Sequence, residues 1–535
     1  MAATLQRTAA KKLHQAANCR QGTLEGGPLQ SGSTRCLVVG KSLSPKLVGW
    51  ASEYQQLQLE IVDNRWGSRH LQSTKCFQRA NDWHGLSTRG CPNQRRRSSK
   101  SNVGPLNAVA VQKPTYPVEE LGKAQDQACI LQAFNWGSCR RDARSWYQLL
   151  LDSVDSIEEG AFTDVLLPPC CQSLDPQGFM PVDFYELDTS YGTAEELRQL
   201  IAALHSRGVH AIADLVINRL AGVATDSTVS WKKAGGTVAD DIDWMDWVSG
   251  SGSPALLTED ASADSYPGLA AIDHSNPVVQ SDLKGWLLWL KTEVGFDGWF
   301  FDYARGFDPQ AVANYGEASG PSLAIADYWN PMRYNGTSLE YGQDQHREDL
   351  CNWVKATGGS ARVLDYTTKG ILQMAVERCE YWRLIDPKGR PPGMIGWWPA
   401  KAVTFVDNHS TGSEPRHWPF PDWGVMLGYA YILTHPGTPC VFWDHVHAWK
   451  HKDAIYSLLA VRRRNGIHAQ SSVRITACHS DLYVAQVGSF DGPDQAFRGV
   501  YVKLGPSMNL RGGGPPGSDW VVAASGHDYC VWEQR

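Results

Sequence analysis

Several features that would mark a membrane or zinc-binding protein are missing from this 535-residue sequence. No apolar run is long enough for a transmembrane helix or for the hydrophobic core of a secretory signal, so we expect no membrane association. The 13 cysteines contain no CxxC pair and no regular spacing. They therefore predict free thiols in a reducing compartment and no zinc site.

Acidic residues are scarce near the N-terminus, where residues 1–115 hold 17 Lys and Arg against 5 Asp and Glu. Such a basic, acid-poor segment predicts a transit peptide for the plastid, with a mitochondrial or cytoplasmic location as the alternatives. Residues 1–125 are weakly patterned, and we expect a mostly disordered extension. The remainder of the chain is acidic, with 33 Lys and Arg against 51 Asp and Glu, which argues against a nucleic-acid partner.

Beyond residue 126, short apolar runs alternate with helical stretches. Thr193 and the pair Asn276-Pro277 are typical helix starts, because a capping side chain precedes early acids in one case and Pro in the other. Eight apolar runs predict strands buried on both faces, namely Ile130–Trp136, Thr163–Leu167, Ala211–Asn218, Gly298–Tyr303, Leu323–Trp329, Val363–Tyr366, Val403–Val406 and Pro439–Trp443. This alternation predicts an α/β fold, a (β/α)₈ TIM barrel over residues 127–468.

Two further segments extend the barrel pattern. Residues 220–273 are rich in Gly, Ser and Asp and are too long for a simple loop, so they predict a small domain inserted after the third strand. Residues 470–535 contain short strands separated by Gly and Pro, which predict a C-terminal antiparallel β-domain.

Acidic side chains lie in the C-terminal part of four predicted strands or directly after it, at Asp214, Asp302, Asp327 and Asp407. The C-terminal ends of barrel strands meet at one mouth, where the active site of this fold lies. A single such Asp would be explained by helix capping, but four together favour a catalytic site. Two carboxyl groups roughly 5–5.5 Å apart would suit a retaining glycosidase, and a wider spacing would suit an inverting one.

Longer motifs carry a resemblance to a known family. The chain is similar to plant α-amylases over nearly all of residues 127–535. The matching runs lie in order at similar spacing, and they include Gln132–Trp136, Gly178–Pro181, Ala211–Asn218, Asp302–Gly306, Gly396–Ala402 and Phe405–His409. The resemblance implies retaining endo-hydrolysis of α-1,4-glucosidic bonds, with starch or another α-glucan as the partner. We expect the chain to be a monomer.

The resemblance implies catalytic roles for three positions, of which one is unchanged. The family's nucleophile falls on Asp302, its Glu acid/base on Asp327, and its third carboxylate on Ser410. Asp is one methylene shorter than Glu, and a misplacement of about 1 Å can cost roughly 100-fold in rate. Ser410 can bind a sugar hydroxyl but cannot supply negative charge to an oxocarbenium-like transition state.

The neighbouring substrate-binding positions also depart from the family pattern. Phe300 stands where the family has Arg, and an apolar ring there favours the neutral form of the nucleophile. Arg219 stands where the family has His, and Phe179 replaces a Tyr that packs under the sugar, so stacking survives without the hydroxyl. His409 matches the family.

The resemblance also implies a calcium site and a starch-binding surface. The calcium ligands would be Asn218, the backbone carbonyl of Gly306 and Asp264 in the inserted segment, although Asn218 is also explained as a hydrogen-bonded structural residue. The adjacent Trp397 and Trp398 match a tandem Trp that binds starch granules in some plant members. Their alternative interpretation is one indole in the core and one at the surface.

The sequence is therefore consistent with two functions. One is an α-1,4-glucan hydrolase that uses Asp302 and Asp327. The other is a non-catalytic α-glucan-binding or regulatory protein, a pseudoenzyme on the same barrel. The family resemblance favours the first, the altered carboxylates favour the second, and fold alone does not decide. Whether the chain is an enzyme is therefore left open by its sequence.

Overall fold

The computed structural model describes residue 116 and residues 126–140, 143–221, 269–491 and 496–535, with two residue pairs at 228–229 and 242–243. Apart from Tyr116, the predicted N-terminal extension therefore lies outside the described residues. Most of the predicted inserted domain, including Asp264, lies outside them as well.

The eight predicted strands form a closed parallel barrel, which confirms the predicted fold. Each strand pairs with its neighbour along the chain, and the eighth pairs with the first. The strands are β1 (Ile130–Gln132), β2 (Asp164–Leu167), β3 (His210–Leu215), β4 (Gly298–Phe301), β5 (Ala324–Ala326), β6 (Arg362–Leu364), β7 (Ala402–Phe405) and β8 (Thr438–Phe442).

Several barrel strands end earlier than their apolar runs predict. Strand β1 stops at Gln132 and β3 at Leu215, yet the apolar residues Phe134 and Val216 beyond them are buried. Both belong to an inner cluster that also contains Phe300. The apolar runs are thus longer than the strands because loop residues also fill the barrel mouth.

The helices of the described residues cover the outside of the barrel. The predicted Thr193–Arg207 helix spans Ala194–Ser206, and Thr193 and Glu196 form a capping box at its start. Asn276 caps the helix that begins at Pro277, as predicted. The bounds are α1 (Trp146–Asp152), α2 (Val154–Glu159), α3 (Ala194–Ser206), α4 (Pro277–Trp289), α5 (Pro309–Ser319), α6 (Asp344–Ala356), α7 (Tyr366–Arg378), α8 (Val425–Ile432), α9 (Trp443–His447) and α10 (Lys452–Arg464).

The C-terminal residues form the predicted antiparallel sheet. Its strands are β9 (Ser472–Cys478), β10 (Tyr483–Asp491), β11 (Ala496–Leu504), β12 (Trp520–Gly526) and β13 (Tyr529–Gln534). Their spatial order is β9-β10-β11-β13-β12. Helix α10 adjoins the sheet through Arg464, whose guanidinium lies 2.9 Å from the Glu533 carboxylate.

The chain leaves the barrel after β3 through a short strand, Arg219–Ala221, and returns through the antiparallel strand Leu269–Ala271. These two strands are the described ends of the predicted insertion, whose domain boundaries remain a prediction. Among the described residues, none of the helices combines the length and apolar character needed to cross a membrane.

Candidate active site

Two aspartates stand side by side where adjacent barrel strands end. Asp302 follows β4 and Asp327 follows β5, and the last residues of those strands, Phe301 and Ala326, are register partners. The backbone N–H of Asp302 donates to the Leu215 carbonyl at 3.1 Å, and that of Asp327 donates to the Phe301 carbonyl at 2.9 Å. The ladder therefore holds both aspartates at one level of the mouth.

The two carboxyl groups have different electrostatic environments. Burial raises the pKa of Asp302 to about 6, although the Arg219 guanidinium and a hydrogen bond from the Tyr303 backbone counteract that rise. Burial, and then the charge of Asp302, raise the pKa of Asp327 to about 7. Near neutral pH, Asp302 is the more readily ionised of the two, and Asp327 retains a proton more easily.

Asp327 is positioned by a residue that the sequence analysis did not select. The buried phenol of Tyr366 donates to Asp327 Oδ1 at 2.8 Å. The Trp329 indole stacks on Tyr366 with 5.0 Å between ring centroids. Tyr366 ends the predicted sixth strand, so its place at the mouth was foreseeable, whereas its bond to Asp327 depends on how neighbouring strands bring the two together.

Asp214 is a third acid at the mouth. It is 2% exposed, and neither carboxylate oxygen has a hydrogen-bond partner among the residues that the structure describes. Its register partner on β4 is Phe300, which is also buried. Burial, followed by the charges of Asp302 and Asp327, raises the pKa of Asp214 well above its ordinary value. Phe300 thus places a phenyl ring opposite Asp214, at a position where an arginine would supply hydrogen-bond donors.

Arg219 brings a cation to this side of the mouth. Its side chain is buried, and its guanidinium lies over the Tyr303 ring at 5.3 Å from the centroid. The same charge lowers the pKa of Asp302 against the effect of burial. Position 300 therefore supplies no cation, and the positive charge beside Asp302 comes from Arg219 instead.

The opposite side of the mouth forms an aromatic floor. His409 stacks on both Phe134 and Phe179, with 5.2 Å between ring centroids in each case, and Trp136 stacks on Phe179 at 5.5 Å. The structure thus brings the predicted Phe179 and His409 together. Trp136 and Phe134 belong to a motif that the resemblance used, but neither was selected as a site residue.

The tautomer of His409 is set by Gln132 on β1. Gln132 Nε2 donates to His409 Nδ1 at 2.8 Å, so the ring proton is on Nε2, which can donate to a sugar hydroxyl. Burial lowers the pKa of His409 to about 3, and the ring is neutral. Ser410 follows as a half-buried residue whose backbone N–H donates to Asn408 Oδ1.

Asp407, the fourth strand-end acid, belongs to the core. Its carboxylate lies 3.3 Å from the Nζ of the fully buried Lys369 and accepts from Thr411 Oγ1 at 2.9 Å and from the Phe420 N–H at 3.1 Å. The expectation that it joins the other acids at the mouth is therefore wrong. Sequence position placed it at a strand end, but its charge is neutralised within the core.

Two of the predicted calcium ligands are neighbours. A Cβ built on Gly306 would lie 3.0 Å from Asn218 Cβ. However, one polar atom of the Asn218 amide lies 2.9 Å from Arg219 Nη2 and 3.0 Å from Arg219 Nε. Because a guanidinium has only donors, that atom is the amide oxygen. The oxygen that calcium would need is turned to a cation, so the described residues do not fit calcium at Asn218.

The tandem tryptophans are both half-buried, and each has a partner against its ring. The Arg347 guanidinium lies 4.1 Å from the ring centroid of Trp397. Tyr116 stacks on Trp398 with 4.5 Å between centroids and an interplanar angle of 10°. Its backbone N–H donates to the Trp397 carbonyl at 3.0 Å. A glucan at this surface would meet Tyr116 first.

A cleft of about 340 Å³ lies between the segments that follow β4 and β5 and helix α6. Its lining includes Ala304, Tyr328 and Trp353, but neither Asp302 nor Asp327. The cleft is therefore distinct from the pair of carboxyl groups.

Comparisons with known proteins agree with this architecture. The alpha amylase catalytic-domain model matches residues 150–320, and the alpha-amylase C-terminal beta-sheet domain model matches residues 464–533. "Probable alpha-amylase 2" of Arabidopsis thaliana is 41% identical over 407 residues, which cover 76% of this chain and 94% of that protein. The chloroplastic alpha-amylase 3 of Arabidopsis thaliana is 39% identical over 436 residues, 81% of this chain but 47% of that longer protein.

Among solved structures, an Anoxybacillus alpha-amylase matches with a TM-score of 0.53 at 14% identity, covering 78% of this chain and 97% of that chain. That likeness concerns the fold. The Arabidopsis thaliana relative, which this chain spans almost completely at 41% identity, establishes the family. The chain belongs to the α-amylase family.

Proposed function

We propose that this protein hydrolyses internal α-1,4-glucosidic bonds of starch or a similar α-glucan with retention, using Asp302 as nucleophile and Asp327 as acid/base. The observation that carries the proposal is the pair of carboxyl groups at register-matched ends of β4 and β5. Neighbouring strands are about 4.8 Å apart. That spacing suits the roughly 5–5.5 Å of a retaining pair better than the 6.5–9.5 Å of an inverting pair.

The two pKa values support this division of roles. Between about pH 6 and pH 7, Asp302 loses its proton before Asp327 does, because Arg219 favours its charged form and Asp302 in turn disfavours the charge on Asp327. Asp327 donates its proton to the glycosidic oxygen while the Asp302 carboxylate attacks the anomeric carbon. Asp327 then removes a proton from the water that cleaves the glycosyl ester and regenerates Asp302.

Substrate binding is proposed for the aromatic floor. Phe179 and Trp136 offer stacked rings to a sugar, and His409 Nε2 offers a donor fixed by Gln132. Ser410 contributes a hydroxyl but no charge. With Asp327 shorter than Glu and Phe300 in place of a cation, we expect turnover below that of a site with all three carboxylates.

Location, assembly and the starch-binding surface are parts of the same proposal. A plastid location is supported by the basic N-terminus and by the chloroplastic relative, and we propose that the chain acts as a monomer.

We propose that starch binds at Trp398 by displacing Tyr116. Granule binding that rises in Tyr116→Ala and falls in Trp398→Ala would support this role, and unchanged binding in both would refute it.

The test is a comparison of reducing ends released from soluble starch by the full chain and by Asp302→Asn. We expect the unmodified protein to exceed the variant by about 1,000-fold or more, because the nucleophile has no substitute. A Phe300→Arg/Asp327→Glu/Ser410→Asp variant is the positive control, and it should gain activity. Equal, background-level release by the unmodified protein and Asp302→Asn, with starch still bound, would instead establish the non-catalytic glucan-binding function.

A further inference from the structure

The side-chain oxygen of Asn218 is fully engaged by Arg219. An amide oxygen has two lone pairs, and two donors approach this one, Nη2 at 2.9 Å and Nε at 3.0 Å. With that orientation the amide nitrogen faces acceptors, so both ends of the amide are satisfied. Asn218 and Arg219 are 5% and 7% exposed, so water competes little for this contact.

Arg219 also connects the elements that meet at this point of the mouth. Its backbone pairs with Ala271 on the returning strand of the insertion. Its guanidinium reaches Asn218 after β3 and the ring of Tyr303 after β4. Gly306 lies against the same Asn218. Through its backbone and its guanidinium, Arg219 thus contacts the loops after β3 and β4 and the returning strand of the inserted segment.

A calcium ion and this guanidinium cannot share Asn218. Calcium binds oxygen ligands at about 2.3–2.6 Å, and the oxygen in question already accepts two hydrogen bonds from a positive group. Rotating the amide toward calcium would place its N–H₂ donors against the donors of Arg219. The two positive charges would also repel each other at short range in a buried site, where screening is weak.

We propose that Arg219 takes the place of a calcium ion at this junction, so that the protein folds and remains stable without calcium bound through Asn218. The guanidinium supplies the positive charge and the bridging contacts, and the Asn218 oxygen is its ligand. This assignment does not depend on catalysis, and it holds whether or not the protein cleaves glucans.

The decisive comparison uses the full chain and Asn218→Ala, each in EDTA and in saturating CaCl₂. Melting temperature and calorimetric titration with Ca²⁺ alone are the measurements. We expect the melting temperature of the unmodified chain to change by less than about 1 °C between the two conditions. Any calcium bound elsewhere should be retained by Asn218→Ala. A calcium-dependent rise of about 5 °C or more that Asn218→Ala abolishes would overturn the proposal.

A substitution that creates a calcium site at Asn218 tests the role of Arg219 directly. Arg219→His removes the guanidinium and should lower the melting temperature in EDTA, and calcium should then restore part of the loss through Asn218. The restoration should disappear in Asn218→Ala/Arg219→His. Arg474→His is the matched control, because Arg474 also lies over an aromatic ring, Phe490, but in the C-terminal sheet. A calcium response equal in Arg474→His and Arg219→His, or absent from Arg219→His, would contradict the proposal.

Discussion

The two sides of the barrel mouth differ in how they treat buried polar groups. On the side of β1 and β7, Gln132 fixes the tautomer of His409, and Lys369 neutralises Asp407 beneath it. On the side of β3 and β4, Asp214 is buried opposite Phe300, and its carboxylate has no hydrogen-bond partner within the described part of the chain. On the first side the buried polar groups have fixed partners, whereas the second contains a carboxyl group whose ionisation is opposed by burial.

The difference indicates which side of the mouth has been affected most by changes in the sequence. Buried polar groups usually have partners, and exceptions concentrate at functional or altered sites. Asp214 is such an exception, and Phe300 accounts for it. The side of β1 and β7 has partners for its buried polar groups, whereas the side of β3 and β4 has a phenyl ring at position 300 and carries its cation at Arg219.

The largest expected loss of stability is on the side of β1 and β7, at the buried Lys369–Asp407 pair. Asp407→Asn leaves the fully buried Lys369 ammonium without a counter-charge. Removing one member of a buried pair typically costs about 3–5 kcal/mol, and we expect a loss of at least about 3 kcal/mol in urea denaturation at pH 7. A loss below about 1 kcal/mol would mean that the pair contributes little, and the contrast between the two sides would weaken.

The next effect concerns the reach of the acid/base. Asp327→Glu adds one methylene toward the glycosidic oxygen, and we expect kcat on soluble starch to rise by about 100-fold. Asp453→Glu, at an exposed position of α10, is the control for an added methylene. A decrease in kcat for Asp327→Glu would show that Tyr366 and its neighbours already hold the shorter side chain in the productive place.

A third effect is the pH dependence of stability. The folded pKa of Asp327, about 7, exceeds the usual value of 3.8, so the folded state holds a proton that the unfolded state releases. The resulting stability is present below about pH 4 and is lost as the pH rises through about 7. Asp327→Asn does not undergo this loss, so its free energy of unfolding should exceed that of the unmodified protein by about 4 kcal/mol at pH 8 but not at pH 4. An equal difference at both pH values would refute the raised pKa.

A smaller effect is expected at the floor of the sugar site. Gln132→Leu removes the donor to His409 Nδ1, so the ring is no longer restricted to the tautomer that presents N–H to the substrate. We expect kcat/KM to fall by about 10-fold with little change in melting temperature. Retention of kcat/KM would show that His409 does not donate to the substrate.

Most of the fold could be predicted from the sequence, because buried parallel strands and capped helices have strong local signals. Thr193 and Asn276 begin helices as expected. Strand ends were less predictable, since Phe134 and Val216 are apolar for reasons of mouth packing. The position of Asp302 directly after a barrel strand was predictable, because a motif marks it in the sequence.

Contacts that depend on register or long-range packing could not be predicted. The bond from Tyr366 to Asp327 joins residues 39 apart, and the stacking of Tyr116 on Trp398 joins residues much farther apart. The isolation of Asp214 required knowing that Phe300 is its register partner. None of these leaves a local pattern, because each arises from elements that meet only in the folded chain.

Covalent trapping shows directly whether Asp302 is the nucleophile. An activated 5-fluoro glycosyl fluoride has a leaving group that needs no protonation, so a short acid at Asp327 does not prevent attack by the nucleophile. We expect a stable glycosyl ester on the peptide that contains Asp302, detected by mass spectrometry and absent from Asp302→Asn. Labelling of another residue, or no labelling of a folded protein that binds starch, would contradict it.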